Sequence, residues 1–285
     1  VLFFEPRNQG FGDLLFQTPI FKALADKGYE VSVIIRKKHF PIIENNPYLS
    51  KIFYWEDWLG LLALALKYSG NVVLLGRNTI TETICGFMFY RSRKIILDQN
   101  INLWRKFFSN NHTTAWQELF RVYFDQSLQF SKPQIYLAHT KPTSSGVRKV
   151  AVVVGVDKEE KRYEKMNSLV DLLRHEKNTS VYLIGVCDRK TESTYLKYSN
   201  DLYTNLINKQ NYSEVMRLIS SMDVVVGTEG SLVHVSTTLG IPTVVIEGKN
   251  QFWNSSNLDK NIDVAIVSSN SAPKEIIKVL GLITG

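Results

Sequence analysis

Two glycine-bracketed turns hold the residues best suited to chemistry: Gly10-Phe11-Gly12-Asp13-Leu14-Leu15, and Gly227-Thr228-Glu229-Gly230-Ser231-Leu232-Val233-His234. Each follows an apolar run that predicts a buried strand, at 1–4 and 224–226, and opens a run that predicts a helix. Such a passage leaves backbone N–H groups and the positive helix end facing outward, which suits an anion. In the second turn the N–H groups of Gly230, Ser231 and Leu232, with the Ser231 hydroxyl, are candidate donors to such an anion. His234 can bond a phosphate or a sugar hydroxyl, or be an ordinary half-buried histidine. Glu229 repels phosphate and suits a ribose or sugar hydroxyl, or a local hydrogen bond. In the first turn Asp13 is either a helix-start acid, favourable by a fraction of a kcal/mol, or a general base. Gly10 and Gly12 would let the backbone turn and a substrate come close.

Cations lie elsewhere. Lys161 and Arg162 stand among Glu159, Glu160 and Glu164, a setting that also describes a solvated charge run. Residues 1–140 carry 16 Lys and Arg against 11 Asp and Glu, so most of the net charge of +7 falls in the first half. That balance points to an anionic partner, with Arg36-Lys37-Lys38, Arg91, Arg93 and Arg105 as candidate contacts. No recognised nucleic-acid-binding motif accompanies them. Neither an Asp-x-Asp pair nor a His/Cys cluster is present, so no metal site is expected. Tyr212, just ahead of a predicted helix, is either packing or a platform for a nucleobase.

The elements that must position these residues alternate. Strands are predicted at 1–4, 30–35, 51–54, 72–75 and 94–97, and helices at 13–27, 39–45, 58–68, 81–90 and 113–124. Pro133, Pro142 and Thr143-Ser144-Ser145-Gly146 break the rhythm and mark a linker. Beyond it strands are predicted at 150–154, 181–184, 224–226, 243–246 and 262–267. Helices are expected at 166–174, 212–221, 232–239 and 272–280. This is an α/β pattern of two doubly wound, Rossmann-like parallel-sheet domains, at 1–140 and 149–285, facing a cleft at the carboxyl ends of their strands. At 44% apolar and 21% charged, the composition supports a buried core. The apolar run 58–66 is too short to span a bilayer and reads as a helix face packed on a sheet. Cys85 and Cys187 fit neither a disulfide framework nor a metal site, and without a signal peptide a cytoplasmic setting is expected.

Taken together, the motifs resemble glycosyltransferase family 9, the heptosyltransferase type. The resemblance starts with Arg7-x-x-Gly10-x-Gly12-Asp13 and Thr18-Pro19, then continues through Asn46-Pro47-Tyr48 and Lys161-Arg162-Tyr163. It ends on the segment from Ser220 through Gly240-Ile241-Pro242-Thr243 to Gly248. It covers nearly the whole chain in order and spacing. It implies a GT-B fold and metal-independent, inverting transfer from a nucleotide sugar, an ADP-sugar being favoured. Asp13 is then the base; Lys161, Arg162, Tyr212, Glu229, Gly230, Ser231, Leu232 and His234 face the donor. Gly10, Gly12, Arg91, Arg93 and Arg105 face an anionic saccharide or glycolipid acceptor in cell-surface glycan synthesis, with contact to the inner membrane face. The chain departs from the family at Glu229-Gly230-Ser231, where Asp-Ser/Thr-Gly is usual, and at Tyr163, where tryptophan is usual.

Three other readings compete. A dinucleotide-dependent oxidoreductase is disfavoured by Leu15 at the third glycine position and Arg36 where a ribose-binding acid is expected. A nucleotide-sugar epimerase would keep the donor site without an acceptor pocket. A non-catalytic nucleotide-sugar-binding protein of the same fold would accommodate the altered Glu229 block.

Overall fold

The computed structural model describes residues 1–5, 10–75, 89, 91–97, 117–118, 120–122, 124–137, 146–155, 163–196, 202–247 and 264–283. The chain divides into two compact units, Val1–Tyr136 and Leu137–Gly285.

In the first unit, strands β1 (Leu2–Phe4), β2 (Ser32–Ile35), β3 (Lys51–Tyr54), β4 (Asn71–Leu75) and β5 (Arg93–Leu97) form one sheet. Its order is β3-β2-β1-β4-β5, and every pairing is parallel. Parallel strands need crossovers, supplied by α1 (Phe11–Asp26), a 3₁₀ turn (Lys37–Ile42) and α2 (Trp58–Lys67). β1 is the central strand, and its two phenylalanines point to opposite faces. Phe3 meets Phe21 of α1 edge-on and stacks on Phe120, while Phe4 meets Trp55 and Phe89. Each ring is buried, which contributes roughly 1.5–3 kcal/mol.

α2 departs from expectation. Only Leu61 and Ala65 are buried, whereas Trp58, Leu59, Leu62 and Leu66 are exposed, Leu59 by 82%. The helix is anchored through its cap: Asp57 accepts from the Gly60 N–H at 2.9 Å. The expected helix at 81–90 lies outside the described residues apart from Phe89, and that at 113–124 is described only in part.

Pro19 falls inside α1 and is buried. Lacking an N–H, it leaves the Leu15 carbonyl without its helical donor. The Thr18 hydroxyl takes over, donating to that carbonyl at 2.8 Å while accepting from the Gln134 N–H at 3.0 Å. Thr18→Val is therefore expected to cost the first unit about 1–3 kcal/mol, because both partners lose a bond in a buried place. Urea unfolding followed by amide exchange across β1 and β2 checks this; unchanged protection would reject it.

In the second unit, strands β6 (Arg148–Val153), β7 (Thr179–Ile184), β8 (Tyr203–Asn205), β9 (Val224–Thr228), β10 (Thr243–Glu247) and β11 (Val264–Ser268) form a parallel sheet. Its order is β11-β10-β9-β6-β7-β8. Its helices are α3 (Met166–Leu173), α4 (Arg189–Leu196), α5 (Tyr212–Ile219), α6 (Ser231–Thr238) and α7 (Pro273–Ile283). Val150, Val152 and Val154 pack with Met166, Leu169, Val170 and Leu173 of α3 and with Ile276 and Leu280 of α7. α4 and β8 were not expected. Arg189-Lys190-Thr191-Glu192-Ser193-Thr194-Tyr195-Leu196 shows no apolar stripe, and β8 is only three residues long.

Two glycines close the carboxyl edge of this sheet. Gly155 follows β6 at φ +94°, and Gly185 follows β7 at φ +119°. A Cβ on Gly155 would sit 2.0 Å from the Val186 carbonyl oxygen, and one on Gly185 would sit 2.2 Å from that of Val154. The two chains leave the sheet in backbone-to-backbone contact.

Candidate active site

In a doubly wound sheet, ligands bind beyond the carboxyl ends of the strands where the order reverses. In the second unit the reversal falls between β6 and β9, which pair directly. β9 runs into Glu229, Gly230 and α6; β6 runs into Gly155 and then the segment that carries Lys161 and Arg162. The topology thus starts both segments expected to face the donor from adjacent strand ends. Lys161 and Arg162 themselves lie outside the described residues. Tyr163, next in the chain, is buried and donates its hydroxyl to the Ser271 carbonyl at 2.8 Å, and burial pushes the phenol pKa up. Lys165 Nζ donates to the Asn270 carbonyl at 3.0 Å. The strand-to-helix connection is therefore tied to the start of α7.

The start of α6 has no side-chain cap: Gly230 is its N-cap, in extended backbone. Its carbonyl accepts from the His234 N–H at 3.1 Å, so the N–H groups of Ser231, Leu232 and Val233 precede the first helical bond. Gly227 permits the tight packing beneath: a Cβ there would lie 2.6 Å from Val153 Cβ. Ser231 and His234 are half-buried, and Glu229 and Leu232 are buried at 9% exposure. The structure brings Tyr212 to this turn. Its phenol is buried beside the Ser231 side chain, and burial drives its pKa far above the ordinary tyrosine value. Asn211 caps the helix that Tyr212 opens, accepting from the Glu214 N–H at 3.0 Å while Glu214 accepts from the Asn211 N–H.

In the first unit the reversal falls beside β1. Asp13 is the third residue of α1 and is half-buried. Its Oδ2 accepts from the Gly10 N–H at 2.8 Å, whereas Oδ1 has no hydrogen-bond partner among the described residues. The bond from the Gly10 N–H fixes the orientation of the carboxylate. Gly10 has φ −85° and ψ 172°, an extended conformation that any residue adopts, so the glycine is not demanded by backbone strain. Arg91 is exposed; Arg93 opens β5, and Arg105 lies outside the described residues. Of Arg36-Lys37-Lys38, the two lysines are exposed and Arg36 turns inward.

Arg36 turns toward a buried group that the sequence reading missed. Glu5 directly follows β1 and is 2% exposed. Its Oε2 accepts from the Arg36 N–H at 3.0 Å, its Oε1 pairs with His39 Nδ1, and its carbonyl accepts from Trp55 Nε1 at 2.9 Å. The Arg36 guanidinium lies 3.1 Å from His39 Nε2 and 3.3 Å from Nδ1, across the imidazole. The one available signal was a lone acid ending an otherwise apolar strand.

Among the described residues, no three His, Cys, Asp or Glu side chains gather to hold a metal ion, and no helix is long and apolar enough to cross a membrane. The family described as glycosyltransferase family 9 (heptosyltransferase) matches residues 64–277. No curated protein matches the chain. Among solved structures, a glycosyl transferase family 9 protein from Veillonella parvula DSM 2008 superposes with a TM-score of 0.79. It shares 12% identity and covers 99% of this chain and 96% of its own. ADP-heptose lps heptosyltransferase II of E. coli gives 0.77 at 14% identity, covering 99% and 98%. E. coli heptosyltransferase WaaC with ADP gives 0.72 at 13%, covering 99% and 98%. These likenesses establish a GT-B type fold.

Proposed function

Because the chain belongs to glycosyltransferase family 9, we propose that this glycosyltransferase moves a sugar from a nucleoside-diphosphate donor to a saccharide or glycolipid acceptor, with inversion. The observation that carries the donor assignment is the uncapped start of α6, set beside the β6–β9 reversal with the Ser231 hydroxyl at its first position. That arrangement offers several N–H groups and a hydroxyl to one diphosphate.

The reaction follows from the residues. The second oxygen of the Asp13 carboxylate takes the proton of the acceptor hydroxyl, and the hydroxyl oxygen attacks the anomeric carbon from the side opposite the diphosphate. The bond from that carbon to the diphosphate oxygen breaks, and the electron pair leaves with the nucleoside diphosphate. Lys161 and Arg162, the α6 N–H groups, Ser231 and His234 stabilise the charge that develops there. Glu229 bonds a ribose or sugar hydroxyl. Neither a metal ion nor another cofactor takes part. The donor is an ADP-sugar, since the solved relatives include one bound to ADP and others bound to ADP-heptose compounds. A heptose is the leading candidate for the sugar. The acceptor is anionic, contacted by Gly10, Gly12, Arg91, Arg93 and Arg105, and belongs to lipopolysaccharide or a related surface glycan. The protein works in the cytoplasm, at the inner face of the membrane.

Titration calorimetry with ADP, UDP and GDP, with and without EDTA, tests the donor half. ADP is expected to bind best and to be indifferent to EDTA. Lys161→Ala is expected to weaken ADP at least ~10-fold, the loss of one charge-assisted phosphate contact. An absolute requirement for magnesium, or full affinity in the Lys161 variant, rejects the assignment.

A further inference from the structure

The Glu5, His39 and Arg36 group lies outside the mechanism above, yet it touches the helix that carries the base. His39 is 1% exposed and sits on the 3₁₀ turn after β2. Its Nδ1 faces the Glu5 carboxylate, so Nδ1 carries a proton and donates it, which fixes the plane of the ring. Its ring packs on Phe11, with centroids 4.3 Å apart and planes inclined at 54°. Phe11 is the first residue of α1, two positions before Asp13, and Gly10 just before it donates the bond that fixes Asp13 Oδ2.

The arrangement costs the fold something. An acid and a histidine buried at the end of a central strand must be fully satisfied, whereas apolar residues there would only need to pack. What the polar group provides is direction. Glu5 is held by the Arg36 N–H and, through its own N–H, by the Ile34 carbonyl at 2.9 Å, so it is locked to β2. Glu5 locks His39, and His39 bears on Phe11.

We infer that His39, oriented by Glu5 and braced by Arg36, is a positioning residue that sets the first turn of α1 through Phe11 and thereby aims the Asp13 carboxylate. This rests on the reading of Asp13 as the base. A displacement of the reacting groups by about 1 Å is enough to cost ~100-fold in rate, so loss of this brace acts on kcat and leaves the donor site alone.

The test uses His39→Ala, Phe11→Ala and their double variant in the full chain, each also in an Asp13→Asn background. Transfer is assayed with an ADP-sugar and its acceptor, and amide exchange across β1 and β2 reports the folded fraction. Each single variant is expected to lose ~10- to 100-fold in kcat per folded molecule, with KM for the donor within about threefold. The double variant is expected to lose no more than the worse single one, since both act through one contact. In the Asp13→Asn background neither change should lower the residual rate further. Phe11→Leu, which leaves Glu5 and His39 paired, keeps the question answerable if His39→Ala fails to fold; it is expected to lose severalfold in kcat. Unchanged kcat in folded Phe11 and His39 variants overturns the inference, as does an equal loss with and without Asp13. If Asp13→Asn itself retains full transfer, the assignment of the base fails instead, and the two failures are told apart.

Discussion

Replacing Asp13 by asparagine is expected to lower sugar transfer at least ~100-fold while ADP affinity changes by less than about threefold. The substitution is close to isosteric. An asparagine carbonyl can still accept from the Gly10 N–H, so the bond that Oδ2 now makes at 2.8 Å is retained. What goes is the second oxygen as a proton acceptor, together with a negative charge at the helix start worth a few tenths to about 1 kcal/mol. That stability loss is too small to mimic the kinetic one. The proposed donor contacts all lie in the second unit, so the nucleotide should hardly sense the change. Steady-state transfer and ADP titration on the same preparation decide the matter. Near-native transfer would leave Asp13 with the helix-start role alone, and equal losses in affinity and turnover would mean that it shapes the protein without doing chemistry.

Among the described glycines of the second unit, Gly155 is expected to tolerate alanine worst. Its φ of +94° is a region L-residues avoid, and the new carbon would start 2.0 Å from the Val186 carbonyl oxygen. Backbone blocks it, so no rotamer change relieves the overlap. Strain and overpacking together are expected to cost about 3 kcal/mol or more. Gly185→Ala meets the mirror problem at Val154 and should behave alike. Amide exchange is the suitable measurement: protection in β6 and β7 should fall by two orders of magnitude while β1 and β2 are unaffected. ADP binding should weaken in parallel, since Gly155 opens the segment that leads to Lys161. Native protection in both strands would show that the edge of the sheet relaxes more easily than its contacts imply.

Much of this fold was legible because both sheets are wholly parallel. A strand covered on two faces must be apolar throughout, and Val224-Val225-Val226 and Val244-Val245-Ile246 are all fully buried. Their order and the intervening helices then follow from the pattern. α4 was missed because its sequence has no apolar face to betray it; Tyr195 is buried in the core. The α2 stripe was misread for the opposite reason. Trp58, Leu59 and Leu62 promise burial that the sheet does not supply. At the site, Asp13 and the Ser231 turn were visible as glycine-flanked helix starts. The Glu5–His39 pair was not, because its members lie 34 residues apart and join only through the pairing of β1 with β2. Tyr212 was seen, but its burial beside Ser231 depends on where α5 meets α6, which no local pattern encodes.

Each unit is also fastened from its last stretch back to its first. In the first, Gln134 bonds Thr18 and Ser127 accepts from Lys27 at 2.7 Å, and Phe120 stacks on Phe3. In the second, Arg148 at the head of β6 donates to the Leu280 carbonyl at 2.7 Å, late in α7. During synthesis, therefore, neither central strand can complete its surroundings until its whole unit has been made. The contacts named for the first unit are in hand by about residue 136, before any described strand of the second is translated. The half that holds Asp13 can therefore assemble these contacts while the half that holds the Ser231 turn is still being added.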